Sequence, residues 1–352
     1  MSNAPSPPLD PRRYFEAAGD PLKIIVDRPP VCLYLEVTNR CNLLCATCPR
    51  TFEELEPPMD MSWELFTRIV DQVPDLARAV LHGVGEPMMV RELPRMVRYL
   101  KQRGVHVLFN TNGTLLDDRR GRELIDTRLD QLRVSLDAAE PGAFKLVRGV
   151  DAFERVVANV KAFTARQREL HAELPRVSLW LTGLKETLAQ LPRFVELAHE
   201  LGVGEVYLQR LVYFPGGQGL ARPESALFEN LDAGEQLMLR RAEETARALG
   251  IEFNASGAVE PEISVKRIAG DEPWSLCRRP WTLMYFTATG RALPCCIAPF
   301  SLRGYASFTL GDATQETLRE IWNGPRYQEF RRSLASDRPP DVCSRCGLRW
   351  SL

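Results

Sequence analysis

Three cysteines stand close together in the segment Cys41-Asn-Leu-Leu-Cys45-Ala-Thr-Cys48. Iron–sulfur clusters are held by cysteine thiolates, usually four of them. A C-x3-C-x2-C run can supply three ligands to one cubane and leave its fourth iron open, much as a catalytic zinc keeps an open position. The run follows the strand-like segment 31–37, which predicts that it forms a loop at a strand's carboxyl end.

Zinc is the alternative ligand for these cysteines, because zinc sites also use C-x2-C pairs. However, no histidine precedes His82, and no cysteine follows Cys48 until Cys277. Zinc would need a ligand from a distant part of the chain. The spacing therefore favours an iron–sulfur cluster.

Charge and hydropathy exclude several classes of function. The chain of 352 residues has a net charge of −1, and its acidic and basic residues are interspersed, so it has no basic surface for nucleic acid or an anionic membrane. Its first residues do not resemble a signal peptide, and no run approaches the ~18 apolar residues that span a bilayer. We therefore expect a cytoplasmic protein whose nine cysteines bind metal rather than form disulfides.

Strand-like runs alternate with amphipathic helical patterns up to about residue 250, which predicts βα units and a parallel sheet. The predicted strands span residues 31–37, 78–82, 105–110, 131–137, 176–182 and 205–211. Six strands are fewer than the eight of a closed (β/α)8 barrel. We therefore expect an α/β fold built on a partial, TIM-like (β/α)6 barrel.

The predicted strands have one aliphatic face and one polar and aromatic face. In residues 131–137, for example, leucine and valine alternate with Arg133, Ser135 and Asp137. Strands covered by helices on both faces should be continuously apolar. The second face is therefore expected to line a cavity, the alternative being a barrel core of polar groups that satisfy one another.

A second group of cysteines lies near the C-terminus and comprises Cys277, Cys295, Cys343 and Cys346. Residues 281–287 and 291–295 predict a hairpin whose turn at Gly290 would bring the first two of these cysteines to one end. The later C-x2-C pair would supply two more thiolates and complete four ligands. A structural zinc ribbon is the alternative, since the spacing also suits zinc.

The first cysteine motif resembles the signature of the radical S-adenosylmethionine (SAM) enzymes, whose open iron binds SAM. Further segments match that family in order: His82-Gly-Val-Gly85-Glu86-Pro87, Phe109-Asn110-Thr-Asn112-Gly113 and Ser135-Leu-Asp137. The second cysteine group resembles the SPASM/twitch extension, in its truncated form with one auxiliary cluster. Thr47 departs from the family, which often has an aromatic residue there.

The resemblance covers about residues 31–350 and implies a domain order. An N-terminal extension would occupy residues 1–30, the radical SAM core 31–250, and a small twitch domain of a β-hairpin and a helix 251–352. The metal ligands would be Cys41, Cys45, Cys48, Cys277, Cys295, Cys343 and Cys346, holding a SAM-binding [4Fe–4S] cluster and an auxiliary [4Fe–4S] cluster.

The resemblance also implies contacts to SAM. The Gly-Glu-Pro turn would expose backbone and the Glu86 carboxylate to the ammonium of SAM, Arg148 would be a partner for its carboxylate, and Leu211 would lie against its adenine. The full set of SAM-binding residues is Gly85, Glu86, Pro87, Asn110, Asn112, Ser135, Asp137, Arg148 and Leu211. Inward residues expected on the substrate side are Glu36, His82, Arg133, Tyr207 and Gln209, together with Trp180.

Such an enzyme would reductively cleave SAM to a 5′-deoxyadenosyl radical that abstracts hydrogen from substrate. A fully ligated auxiliary cluster suits electron transfer, so we expect an oxidoreductase that dehydrogenates a small molecule, with a flavodoxin- or ferredoxin-type reductant. Only about thirty residues precede the first strand, few for a peptide-recognition domain. Crosslinking or epimerisation of a ribosomal peptide is the alternative, and a non-catalytic electron carrier is another.

Cys296 exceeds the number of ligands that the auxiliary cluster needs. It could donate a hydrogen atom or act as an alternate ligand, but an inert buried thiol is favoured.

Overall fold

A ten-stranded sheet forms the centre of the protein in a computed structural model that describes residues 23–213, 216–227, 231–256, 260–265, 274 and 277–344. The strand order is β10-β9-β8-β1-β2-β3-β4-β5-β6-β7. All neighbours from β8 to β7 are parallel, whereas β8–β9 and β9–β10 are antiparallel. The strands are Cys32–Leu35 (β1), Arg78–Val80 (β2), His106–Thr111 (β3), Gln131–Ser135 (β4), Arg176–Gly183 (β5), Glu205–Arg210 (β6), Glu252–Ala255 (β7), Leu283–Phe286 (β8), Arg291–Leu293 (β9) and Gly311–Asp312 (β10).

Helices pack against the aliphatic face of this sheet and share its core. No helix in the described ranges is long and apolar enough to cross a bilayer. The helices are Trp63–Val70 (α1), Leu93–Gln102 (α2), Asp118–Thr127 (α3), Pro141–Arg148 (α4), Phe153–Glu169 (α5), Leu191–Glu200 (α6), Ala233–Leu249 (α7), Pro261–Ser264 (α8), Arg279–Thr282 (α9), Ala298–Ser301 (α10), Leu318–Trp322 (α11), Pro325–Leu334 (α12) and Asp341–Ser344 (α13).

The predicted partial barrel is confirmed, because all six predicted strands are present and the sheet does not close. Two features differ from the expectation. Strand β7 was not predicted, because its four residues are too few to show an alternation of apolar and polar side chains. Strand β8 not only forms the predicted hairpin with β9 but also pairs in parallel with β1. The sheet thus continues through the expected boundary at 250/251, and the division into domains stays a prediction.

The register of the parallel strands brings the inward polar side chains together. Arg133 on β4 pairs with Asn110 on β3. Two residues nearer the carboxyl edge of β4, Ser135 pairs with Trp180 on β5, which in turn pairs with Tyr207 on β6. Because ligands of α/β sheets bind at the carboxyl ends of the strands, these rows lead from the interior to the expected site.

Candidate active site

One cavity on the inward face brings together residues from both halves of the chain. Its lining includes most of the predicted site residues, namely Cys41, Cys45, Cys48, His82, Gly85, Glu86, Asn110, Asn112, Arg133, Ser135, Asp137, Arg148, Tyr207, Gln209 and Leu211. Glu36, Pro87, Cys277, Cys295 and Cys343 do not line it. The predicted ligand Cys346 lies outside the described residues.

The loop that carries the first cysteine motif is clamped from two sides. The amide of Ala46 donates to the carbonyl of Val147 at 2.8 Å, and the amide of Leu220 donates to the carbonyl of Ala46 at 2.7 Å. Gly149 ends α4 with φ +76°, and a Cβ there would lie 2.2 Å from the carbonyl oxygen of Leu44. Only glycine fits this combination of a left-handed backbone and close approach.

The surroundings of the three cysteines suit thiolates that are ligands of an iron–sulfur cluster. Burial raises the pKa of the Cys41 thiol and raises that of Cys48 to about 12, so a bare thiolate is unfavourable without a compensating positive charge. The side-chain amide of Asn112 lies 3.9 Å from the sulfur of Cys41, and a guanidinium nitrogen of Arg148 lies 3.6 Å from that of Cys45. N–H groups directed at sulfur are the contacts that tune cluster potentials.

The Glu86 carboxylate is buried, contrary to the expectation that it would be exposed to the ammonium of SAM. One oxygen accepts from the Thr111 hydroxyl at 2.7 Å and the Met88 amide at 3.0 Å, and the other accepts from the Asn112 amide at 2.7 Å. The exposed fraction of Glu86 is 2%. Its carboxylate therefore fastens the turn after β2 to the end of β3.

Arg148 and Asp137 form a buried ion pair at 2.7 Å at the carboxyl edge of β4. Asp137 has φ +63°, and its second oxygen accepts from the amide of Thr182 at 2.5 Å. The charge of Arg148 is thus already balanced by a carboxylate of the chain.

His82 is a neutral hydrogen-bond donor toward the cavity. Its Nδ1 accepts from the amide of Asn110 at 3.0 Å, which places the proton on Nε2. Burial, followed by the charges of Arg133 and Arg78, lowers the His82 pKa to about 3. The ring meets Tyr34 edge to face, with centroids 5.9 Å apart.

Arg133 lies on a stack of two aromatic rings. The rings of Trp180 and Tyr207 are parallel within 16° with centroids 4.0 Å apart, and the guanidinium carbon of Arg133 is 4.4 Å from the Trp180 centroid. The indole nitrogen of Trp180 donates to Ser178 at 2.9 Å, which fixes the orientation of the stack.

Glu36 supports the cavity from outside instead of lining it. Its Oε2 accepts from the Val84 amide at 2.9 Å and the Tyr285 hydroxyl at 2.7 Å, and its Oε1 accepts from the Ala288 amide at 3.3 Å. The carboxylate therefore joins β1 to the turn after β2 and to the β8–β9 hairpin. Burial is the main cause that raises its pKa to about 7.

Arg279 lies between the second cysteine group and the cavity. Gly290, with φ +98°, turns the β8–β9 hairpin toward Cys295. The guanidinium of Arg279 is 5% exposed and interacts electrostatically with Cys277, Cys295 and Cys296. Both Arg279 and Cys296 line the cavity.

Tyr34 and Arg279 are among the lining residues that the sequence did not indicate as site candidates. Tyr34 was recognisable only by its place on the polar face of β1, and it is hydrogen-bonded to Cys296. Arg279 carried no signal apart from its position two residues after Cys277.

Two family descriptions match the chain over the segments that build this cavity. Residues 35–198 match the radical SAM superfamily, and residues 277–347 match the SPASM iron–sulfur cluster-binding domain. The chain is a radical SAM enzyme with a SPASM domain. The cofactors of this combination are a SAM-binding [4Fe–4S] cluster, auxiliary iron–sulfur clusters and SAM.

Relatives of this radical SAM protein cover most of its length. It is 26% identical over 340 residues to a tungsten-containing aldehyde ferredoxin oxidoreductase cofactor-modifying protein of Pyrococcus furiosus, covering 90% of this chain and 87% of the relative. It is 28% identical over 323 residues to the PqqA peptide cyclase of Gluconobacter oxydans, covering 90% and 83%. The fold resembles Streptococcus suis SuiB bound to S-adenosylmethionine, with TM-score 0.62, 18% identity, and coverage of 90% of this chain and 72% of SuiB.

The clamp on the cluster loop predicts that Gly149→Ala lowers iron content. The left-handed backbone costs about 1–2 kcal/mol for alanine, and the new Cβ would also push the Leu44 carbonyl away. Gly250→Ala is the matched control, because Gly250 has φ +68° and nothing within 4 Å of the added Cβ. After anaerobic reconstitution we expect full iron in G250A and less iron in G149A; equal iron in both would show that this contact does not hold the loop.

The buried Glu36 predicts a pH-dependent stability. Burial raises the pKa of Glu36 to about 7 in the folded protein, so the folded state binds the carboxyl proton more tightly than the unfolded state. The resulting contribution to the free energy of unfolding is complete below the ordinary carboxyl pKa and is lost as the pH rises through 7. Between pH 6 and 8 the free energy of unfolding of the wild type should fall by about 1 kcal/mol more than that of Glu36→Gln. Denaturant unfolding at several pH values measures this, with the exposed Glu154→Gln as control; parallel pH curves for wild type and E36Q would contradict it.

Proposed function

We propose that this protein oxidises an organic substrate held in the cavity between its two groups of cysteines. A single observation carries the proposal: the same cavity is lined by Cys41, Cys45 and Cys48 and by Cys296, the neighbour of Cys295. A substrate bound there would lie beside the ligands of the first group and beside Cys296, which adjoins a predicted ligand of the second. This arrangement suits a net oxidation better than a redox-neutral change, which needs no second electron-transfer site.

The two cysteine groups would hold the cofactors of the family. Cys41, Cys45 and Cys48 would bind the SAM cluster, whereas Cys277, Cys295, Cys343 and Cys346 would bind one auxiliary cluster. When bound, the clusters and SAM supply hydrogen-atom abstraction and one-electron redox chemistry.

The chain's own residues position these groups and exclude water. Asn112 and Arg148 would donate to cluster sulfurs through the contacts that they already make to Cys41 and Cys45. Leu211 lines the cavity and would lie against the adenine of SAM. It packs on an apolar cluster beside this loop that comprises Val147, Leu184, Leu220 and Ala46. Asn110, Ser135 and Gln209 also line the cavity and would bind polar parts of SAM and substrate.

We favour a small molecule as the substrate, because the cavity lies within the barrel and buried aromatic and arginine side chains restrict its interior. A ribosomal peptide is the second candidate. It is favoured by the relationship to the PqqA peptide cyclase over 90% of this chain.

Cluster variants test the proposed reaction. In anaerobically reconstituted protein with dithionite, Cys45→Ala should abolish 5′-deoxyadenosine formation, because it removes a ligand of the first cluster. Cys295→Ala should still form 5′-deoxyadenosine but give no oxidised product, because it removes a ligand of the second. If C45A still formed 5′-deoxyadenosine, the assignment of the first cysteine motif as the ligands of the SAM-binding cluster would be wrong.

The substrate class can be tested with an extract of the source organism separated at about 3 kDa. Wild type and C45A are incubated anaerobically with SAM and each fraction, and masses that fall by two hydrogens only with wild type are identified. A change in the small-molecule fraction supports the favoured substrate. A change confined to peptides above the cut-off supports the second candidate.

A further inference from the structure

Arg133 is held in one position inside the cavity. It is centred on the face of Trp180, and one guanidinium nitrogen donates to the side chain of Gln131 at 3.0 Å. A guanidinium stacked on an aromatic ring keeps its edge free for hydrogen bonds in the ring plane. Its remaining N–H groups are therefore available to a ligand in the cavity.

No carboxylate in the described part of the chain forms an ion pair with Arg133. Glu205 attracts it only from beyond ion-pair distance, and Arg78 repels it. A charge withdrawn from water without a counter-ion is costly. Arg148, in the same cavity, shows the usual solution, since Asp137 neutralises it.

Two further polar groups near Arg133 have no hydrogen-bond partner among the described residues. His82 lines the cavity, and its Nε2 has no hydrogen-bond acceptor among the described residues, since only Nδ1 is bonded. Asn110 pairs with Arg133 in register, and its side-chain oxygen is buried without a partner among the described residues. Two donors and one acceptor therefore surround this part of the cavity.

The position of Arg133 separates it from the expected SAM site. Arg133 precedes Ser135 by two residues on β4, which is about 7 Å farther from the carboxyl edge. The Arg148–Asp137 pair and the cluster loop lie at that edge. Arg133 thus faces a deeper part of the cavity than Ser135, Asp137 and Arg148 do.

We propose that Arg133 and His82 bind an oxyanion of the substrate, a carboxylate or a phosphate, and so determine which substrates enter. That the bound oxyanion belongs to a substrate rests on the proposed function, whereas the binding of an oxyanion does not. The guanidinium supplies the counter-charge and paired N–H donors, as in arginine–carboxylate recognition.

Anion-dependent thermal stability of the reconstituted holoenzyme tests the proposal. Sodium acetate, sodium phosphate and neutral acetamide are added at equal ionic strength, and the unfolding temperature is recorded for wild type, Arg133→Met and Arg95→Met. Arg95 is the matched control, because it also stacks on a tryptophan, 3.8 Å from the Trp63 centroid, but its side chain is 57% exposed.

We expect an anion to raise the unfolding temperature of wild type and R95M by about 1–2 °C and to leave R133M unchanged, whereas acetamide shifts none of them. An acetate shift identifies the oxyanion as a carboxylate, and a phosphate shift alone identifies a phosphate. Without anion, R133M should be at least as stable as wild type, because it removes a partly buried guanidinium that has no counter-ion among the described residues.

Two results would overturn the proposal. Anion shifts that are equal in wild type and R133M, or absent from both, would remove the oxyanion site. SAM is also added alone to each protein, and we expect it to raise the unfolding temperature of wild type and R133M alike; a SAM shift that is lost in R133M would assign Arg133 to SAM instead of substrate. Failure of the proposed function is separate, since it appears as absent 5′-deoxyadenosine formation in wild type.

Discussion

The parallel pairing of β1 with β8 is the contact on which the site depends. Strand β1 leads into the loop of Cys41, and β8 leads through the Gly290 turn to Cys295. The loop of Cys41 leaves the carboxyl edge of this pair, whereas Cys295 follows the antiparallel β9 and lies toward the opposite edge. The pairing therefore places the two cysteine groups at different depths of one cavity, which Cys41 and Cys296 both line. Glu36 reinforces it, since its carboxylate bonds both the turn after β2 and the hairpin after β8.

The polar groups of the cavity fall into two classes. At the carboxyl edge, Glu86 is satisfied by three donors, and Arg148 is neutralised by Asp137. These groups hold the strand ends and the cluster loop in place. Deeper in the barrel, His82 and Arg133 retain open donors. Both residues line the cavity, so this pair of donors is available to a ligand there.

Much of this arrangement was readable from local pattern. Two-residue alternation placed Arg133 and Tyr207 on the inward face, and the structure confirms that face. The same alternation also placed Glu36 in the cavity, which is wrong, because its neighbours Tyr285 and Val84 cover it. Alternation specifies a side of the sheet, whereas access also depends on which loops and strands lie above that side.

The sequence by itself determined the two cysteine motifs, the six core strands and their polar face, because ligand spacing and strand periodicity are local properties of the chain. Tertiary structure alone decided that β8 extends the sheet beside β1 and that Arg279 and Cys296 reach the cavity. It also decided that Arg148 is balanced while Arg133 is not. Those outcomes depend on register and on contacts between residues far apart in sequence, which no local pattern encodes.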